Sequence, residues 1–179
     1  KAAGFKHPTK IQAELIPLVL DGHDVLGQSR TGTGKTASFA LPLVHAVQRA
    51  VPFQAFILAP TRELAIQIAD EVRQLGRKTP VRTAAIYGGQ KIHTQASKLE
   101  SGPEIVVATP GRLMDMKERG HLHFDNTRFA VLDEVDRMLD IGFRDDIRQI
   151  LRQMPSNRQT VFVSATISPE IENLSRTFM

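Results

Sequence analysis

The 179-residue sequence has no cysteine, which excludes a disulfide framework and any Cys-based zinc site. The compositional marks of an oxidising compartment are missing with it, so a cytoplasmic location is expected, or a nuclear one if the source is eukaryotic. No apolar run approaches the ~20 residues a membrane-crossing helix needs, and Lys1 to His7 lack the apolar stretch of a secretion signal. A soluble chain without membrane contact is the expectation. No internal repeat, low-complexity tract or Pro/Gly-rich linker interrupts the chain, so no domain boundary is visible. Charge is not extreme: 23 Lys and Arg against 19 Asp and Glu leave +4, which permits a polyanionic partner without requiring one. What is present is a 41% hydrophobic composition, enough for the core of one globular unit. Residues 1–179 read as one domain, expected to be monomeric. The sequence opens at Lys1 without an initiator Met, inside a motif described below, and is read as a fragment.

Short apolar runs recur at Asp24-Val25-Leu26, Ala55 to Ala59, Thr83 to Tyr87, Ile105 to Ala108, Phe129 to Leu132 and Val161 to Val163. Runs apolar on both faces suit strands of a buried parallel sheet. Between them, Leu64, Ile68, Val72 and Leu75 recur at helical spacing, as do Phe143, Ile147, Ile150, Leu151 and Met154. Alternating strand and helix predicts a doubly wound α/β domain, a mostly parallel sheet with helices on both faces, whose ligands bind beyond the carboxyl ends of the strands. The polar and glycine-bearing segments fall at those ends.

Ser29-Arg30-Thr31-Gly32-Thr33-Gly34-Lys35-Thr36 follows one run and opens a helix, the context of a phosphate-binding loop. Glycines let backbone N–H groups turn toward phosphate oxygens, the helix N-terminus adds partial positive charge, Lys35 reaches the β and γ phosphates, and Thr36 ligates Mg²⁺. The strict pattern begins with Gly where this chain has Ser29. The plain alternative, a glycine-rich turn with no ligand, leaves the intact Gly34-Lys35-Thr36 core unexplained. The run Phe129 to Leu132 leads into Asp133-Glu134-Val135-Asp136, an apolar strand ending in two acids, the Walker B arrangement. Asp133 is placed to reach Mg²⁺ and Glu134 to polarise the attacking water. Paired acids there could also serve only the dipole of the helix that starts near Val135.

Gly4-Phe5-Lys6-His7-Pro8-Thr9-Lys10-Ile11-Gln12 resembles the Q motif of DEAD-box RNA helicases, and further motifs follow in that family's order. Pro60-Thr61-Arg62-Glu63-Leu64-Ala65 resembles motif Ia, Gly88-Gly89 the GG motif, Thr109-Pro110-Gly111-Arg112 motif Ib, Asp133 to Asp136 motif II, and Ser164-Ala165-Thr166 motif III. The resemblance covers essentially the whole chain. Three departures stand out: Val135 replaces the Ala that names the family, Ser29 stands where Ala is usual, and Arg30 where Gln is common.

The resemblance implies a RecA-like domain binding ATP or ADP with Mg²⁺, its adenine held by Phe5, Lys6 and Gln12 and its phosphates by residues 29–36. A carboxamide suits adenine, accepting from N6 and donating to N7. Thr9 and Gln12 equally form the spacing of a helix capping box. The resemblance assigns Pro60 to Glu63, Gly88-Gly89 and Thr109 to Arg112 to the RNA backbone, through free N–H groups assisted by Arg62 and Arg112. Such contacts would be indifferent to base sequence. Taken singly, Thr61 and Thr109 read as helix caps and the arginines as surface ion pairs. Asp136, Ser164 and Thr166 are implied to link the ATP site to closure against a second RecA-like domain, expected to lie after Met179. His121 and His123 read as a solvated loop, Asp145-Asp146 as the polar face of a helix, and Tyr87 as core.

The expected function is an RNA-dependent ATPase that separates short duplexes. Glu134, Lys35 and Asp133 carry the chemistry, and the fragment alone binds nucleotide but hydrolyses it poorly. A nucleotide-regulated RNA clamp or scaffold is the alternative, disfavoured by retained Glu134. A GTPase or nucleotide kinase would need a guanine-reading motif or an acceptor lid, and neither is present.

Overall fold

The computed structural model describes residues 7–30 and 32–179. Strands β1 (Val25–Gln28), β2 (Ala55–Leu58), β3 (Thr83–Ile86), β4 (Ile105–Ala108), β5 (Phe129–Asp133) and β6 (Gln159–Ser164) alternate with helices. The helices are α1 (Lys10–Leu20), α2 (Lys35–Ala46), α3 (Arg62–Gly76), α4 (Ile92–Glu100), α5 (Pro110–Glu118), α6 (Val135–Ile141), α7 (Arg144–Gln153) and α8 (Pro169–Phe178). Every strand pair is parallel, in the order β1-β6-β5-β2-β4-β3. The expected α/β architecture is what the chain adopts.

The strands are apolar on both sides because helices cover both. Ala55, Ile57, Val107 and Val131 point to one face, where Leu15 of α1, Phe39 of α2 and Ile68 of α3 pack on them. Phe56, Leu58, Val106 and Leu132 point to the other, covered by Leu99, Leu113, Met138, Ile150 and Leu174 of α4 to α8. Each such fully buried side chain stabilises the fold by roughly 1.5–3 kcal/mol. Helices α3 and α7 bury the stripes that the spacing predicts, with Ile68 and Val72 in one and Ile147, Ile150 and Leu151 in the other. Tyr87 is core, and Asp145 and Asp146 sit in the polar first turn of α7.

Strand edges shift by a residue or two from the apolar runs. Asp24 stays outside β1 because its carboxylate is used elsewhere, accepting the Thr160 N–H at 2.6 Å. Ala59 and Tyr87 lie just past β2 and β3, and β6 runs from Gln159 to Ser164. Prolines 17 and 42 sit inside α1 and α2. An interior proline deletes a helix hydrogen bond, yet both helices continue because Leu15, Val19, Phe39 and Leu43 are clamped in the core. Among the described residues no helix is long and apolar enough to cross a membrane.

Parallel pairing sets the carboxyl ends of β1, β6, β5 and β2 side by side. Ser29, Ser164, Asp133 and Pro60 thereby fall along one edge, with the ends of β4 and β3 continuing it.

Candidate functional site

Gly34 is the hinge of the loop that enters α2. Its φ of +80° is left-handed, and a Cβ there would meet Gln12 Nε2 at 2.5 Å, so both backbone and space demand glycine. Gly32 is likewise left-handed at +77°. Ser29 and Thr33 join hydroxyls at 2.6 Å, Thr33 Oγ1 also donates to Arg30 O at 2.9 Å, and the Ser29 N–H donates to Ser164 O at 2.9 Å. Phe5, Lys6 and Thr31, assigned by the sequence to the nucleotide, lie outside the described residues.

Lys35, the first residue of α2, is buried, and among the described residues its Nζ finds no hydrogen-bond partner. Among the described residues its charge is met only by Asp133 Oδ1 at 3.5 Å. A buried ammonium with unused donors is costly unless a ligand completes it, so the loop fits a phosphate group. Burial drives the Asp133 carboxyl up to about 6, against the pull of Lys35 and with the neighbouring charge of Glu134 adding to it. Thr36, also buried, lines the same cavity of about 530 Å³, together with Thr61, Glu63, Leu64, Gln67, Glu71, Glu134 and Arg137. One hydroxyl and one carboxylate are hard oxygen donors of the kind that Mg²⁺ takes alongside substrate phosphates, so Thr36 and Asp133 fit that ion. A larger cavity of about 780 Å³ lies at the opposite ends of the strands, near His45, Gln54 and Arg128, away from these groups.

Glu134 holds φ 54°, ψ 53°, a left-handed conformation rare outside glycine, and ends the strand so that α6 starts at Val135. Val135 is fully buried in the core. Asp136 accepts from the Thr166 N–H and Oγ1, both at 2.9 Å, while its own N–H donates to Ser164 Oγ at 3.2 Å. Burial opposes ionisation of Asp136, but the bonds from Thr166 outweigh it and hold the carboxyl below the usual range. Gln28 Nε2 adds a bond to Ala165 O at 3.1 Å. The Ser164-Ala165-Thr166 segment is thus wired to both the phosphate loop and Asp136.

Gln12 is buried, and its carboxamide is engaged within the protein: Oε1 accepts from the Thr9 N–H at 3.0 Å and Nε2 donates to Gly34 O at 3.1 Å. The capping-box reading holds, and it ties α1 to the phosphate loop.

The three segments assigned to RNA follow β2, β4 and β3, which are neighbours in the sheet. Thr61 caps α3, its hydroxyl accepting from the Leu64 N–H at 3.3 Å, whereas Thr109 begins α5 without a side-chain cap. Arg62 pairs with Glu63 at 3.1 Å and lies against Gly89, which is left-handed at +84°. Arg112 is largely buried and donates to Gln90 O at 3.1 Å, holding the Gly88-Gly89 turn beside α5. Pro110 and Gly111 form the first turn of α5, with open space around Gly111. His123 packs edge-on against Phe53, 3.5 Å from Asp125. The sequence reading missed Arg137, Gln67 and Glu71, whose only local signal is their spacing on the helices that wall the cleft.

The sequence pattern of the DEAD/DEAH box helicase family matches residues 9–174. The chain is 48% identical to the ATP-dependent RNA helicase CshA of Listeria monocytogenes, covering 98% of this chain and 34% of that protein. It is also 48% identical to the RNA helicase CrhR of Synechocystis, over 98% of this chain and 36% of that one. The crystal structure of a DEAD box protein from Methanococcus jannaschii superposes with a TM-score of 0.95 at 44% identity, covering 98% of this chain and 48% of that one. A hypothetical ATP-dependent RNA helicase from Sulfolobus tokodaii superposes at 0.90, with 38% identity, over 98% of this chain and 51% of that one. The chain spans about a third of the length of the curated relatives it matches.

Proposed function

Since the chain belongs to the DEAD/DEAH box helicase family, we propose that residues 1–179 form the ATP-binding RecA-like domain of an RNA-dependent ATPase that separates short RNA duplexes. The observation that carries this reading is Lys35, a buried ammonium without a hydrogen bond, set beside Asp133 at the head of a helix.

In this reading the N–H groups of residues 32–36 and Lys35 bind the β and γ phosphates of ATP, and Gly34 lets the backbone approach them. Thr36 and Asp133 hold Mg²⁺, which when bound neutralises charge on the phosphate oxygens. Glu134 takes a proton from the water that attacks the γ-phosphorus. Residues 60–63, 88–89 and 109–112 bind the RNA backbone through Arg62 and the N–H groups of the glycine turn and of the first turns of α3 and α5, while Arg112 braces the glycine turn. Asp136, bonded to Thr166 and Ser164, carries the state of the cleft to the surface that meets a second RecA-like domain. That domain, outside this chain, supplies further cations to the γ-phosphoryl, a contribution worth roughly 10³ to 10⁵ in rate in related NTPases. Gln12 selects adenine once its carboxamide leaves Gly34.

The test is turnover. In the full-length protein ATP hydrolysis is RNA-stimulated, and Glu134→Gln keeps ATP and RNA binding but abolishes turnover. Residues 1–179 alone bind nucleotide and hydrolyse it barely above background. Full turnover in the Glu134→Gln protein would place the base elsewhere, and robust RNA-stimulated turnover by the domain alone would show that closure is unnecessary.

A further inference from the structure

Arg137 stands in the cleft with no task assigned by the motifs. Its Nη1 lies 3.4 Å from Glu134 Oε2, one turn back along α6. Among the described residues it is the one partner of the Glu134 carboxylate. The backbone of Glu134 is well held: its N–H donates to Asp133 Oδ1 at 2.9 Å, its carbonyl accepts from the Met138 N–H at 3.0 Å, and Val135 beside it is fully buried. The side chain adds three torsions to that fixed base, and among the described residues Arg137 is the one hydrogen-bonding group that restrains them.

Arg137 is itself held at its backbone. Its N–H donates at 3.0 Å to Asp136 Oδ1, on the carboxylate that takes two bonds from Thr166. Its guanidinium shares the cavity wall with Glu63 of α3. The Glu63 carboxyl is held below the usual range, first by a backbone N–H and by Arg62, and last by the charge of Arg137. One guanidinium therefore contacts the proposed base and shares the cleft wall with an acid on its RNA side.

Building on the function proposed above, we propose that Arg137 is a positioning residue: it holds the Glu134 carboxylate in the orientation from which Glu134 takes the proton of the attacking water. As the water oxygen bonds to the γ-phosphorus and the bond to ADP breaks, the proton passes to Glu134, and Arg137 exchanges neither proton nor electrons. A merely structural pair on an exposed helix turn would leave turnover unchanged.

The experiment is steady-state ATP hydrolysis by the full-length protein at saturating RNA, comparing Arg137→Gln and Arg137→Lys with wild type, alongside thermal unfolding. The expected loss in kcat for Arg137→Gln is about tenfold, between the few-fold worth of an exposed ion pair and the hundredfold cost of a 1 Å misplacement. KM for ATP and for RNA stays within about twofold, Tm is unchanged, and the Lys variant recovers most of the rate because it restores the charge. Wild-type kcat in Arg137→Gln would overturn the inference. So would a rise in kcat, showing that the pair restrains Glu134, or a raised KM for ATP, showing direct phosphate contact. A wild-type protein without RNA-stimulated turnover would instead sink the functional reading on which the inference rests.

Discussion

Replacing Glu104 by alanine removes the most heavily used carboxylate outside the cleft. Glu104 is fully buried at the start of β4, where Oε1 accepts from the Ala50 N–H at 2.9 Å and from Arg82 Nη2 at 2.8 Å. Its Oε2 accepts from the Arg82 N–H at 2.8 Å and from Arg82 Nε at 3.2 Å. One side chain thus ties together the α2–β2 loop, where Ala50 is left-handed at φ 62°, and the entry to β3. Truncating one partner of a buried ion pair costs about 3–5 kcal/mol in general. Here the lower end applies, because Arg82 is 46% exposed and can rehydrate. The expected loss is therefore about 3 kcal/mol, which for a domain of this size lowers Tm by roughly 6–12 °C.

The same contact has a pH signature. Burial pushes the Glu104 carboxyl up, but the Arg82 side chain and the N–H groups of Arg82 and Ala50 outweigh it and hold it below its ordinary 4.5. A depressed folded-state pKa contributes stability that is full above the unfolded value and is lost as pH falls through the folded one. Urea unfolding at stepped pH should show the wild-type advantage over Glu104→Ala constant from about pH 6 to 8 and shrinking below about 4.5. Glu104→Gln keeps one acceptor and should lose less, roughly 1–2 kcal/mol, with no step in that window. A loss under about 1 kcal/mol at neutral pH, or a difference that persists undiminished in acid, would refute the reasoning.

Lys35→Ala should weaken ATP binding by at least tenfold while the far-UV circular dichroism spectrum is retained; normal affinity would remove the phosphate-loop reading. Gly34→Ala imposes about 1–2 kcal/mol of left-handed strain and drives Gln12 off Gly34 O, so calorimetry should show lower affinity for ATP and ADP together with a lowered Tm. Wild-type values for both would mean that the loop does not need its left-handed turn. Thr166→Val deletes the Oγ1 bond to Asp136 and keeps the backbone one. Nucleotide affinity should hold while RNA-stimulated turnover of the full-length protein falls several-fold; parallel losses in both would assign Thr166 to the nucleotide site instead.

What could be read from the chain was local. A run such as Ile105 to Ala108, apolar on both faces, has little choice but a strand buried on both sides, and Ser29 to Thr36 carries its own signature because the left-handed turn at Gly34 admits only glycine. Asp133 and Glu134 after an apolar strand are legible for the same reason, since strand, turn and helix start are contiguous. The strand order is not. Pairing Val25 with Val161 in register joins residues far apart in sequence, and that pairing brings Ser164 to the back of the phosphate loop. The tertiary structure alone decided how side chains with several choices were used: Gln12 on Gly34, Arg112 on Gln90, Arg137 on Glu134, and Glu104 between two loops. It also kept Pro17 and Pro42 inside helices that local rules would break. A polar side chain's partner is set by which elements pack together, and local spacing encodes an element's buried face but not the neighbour that it meets.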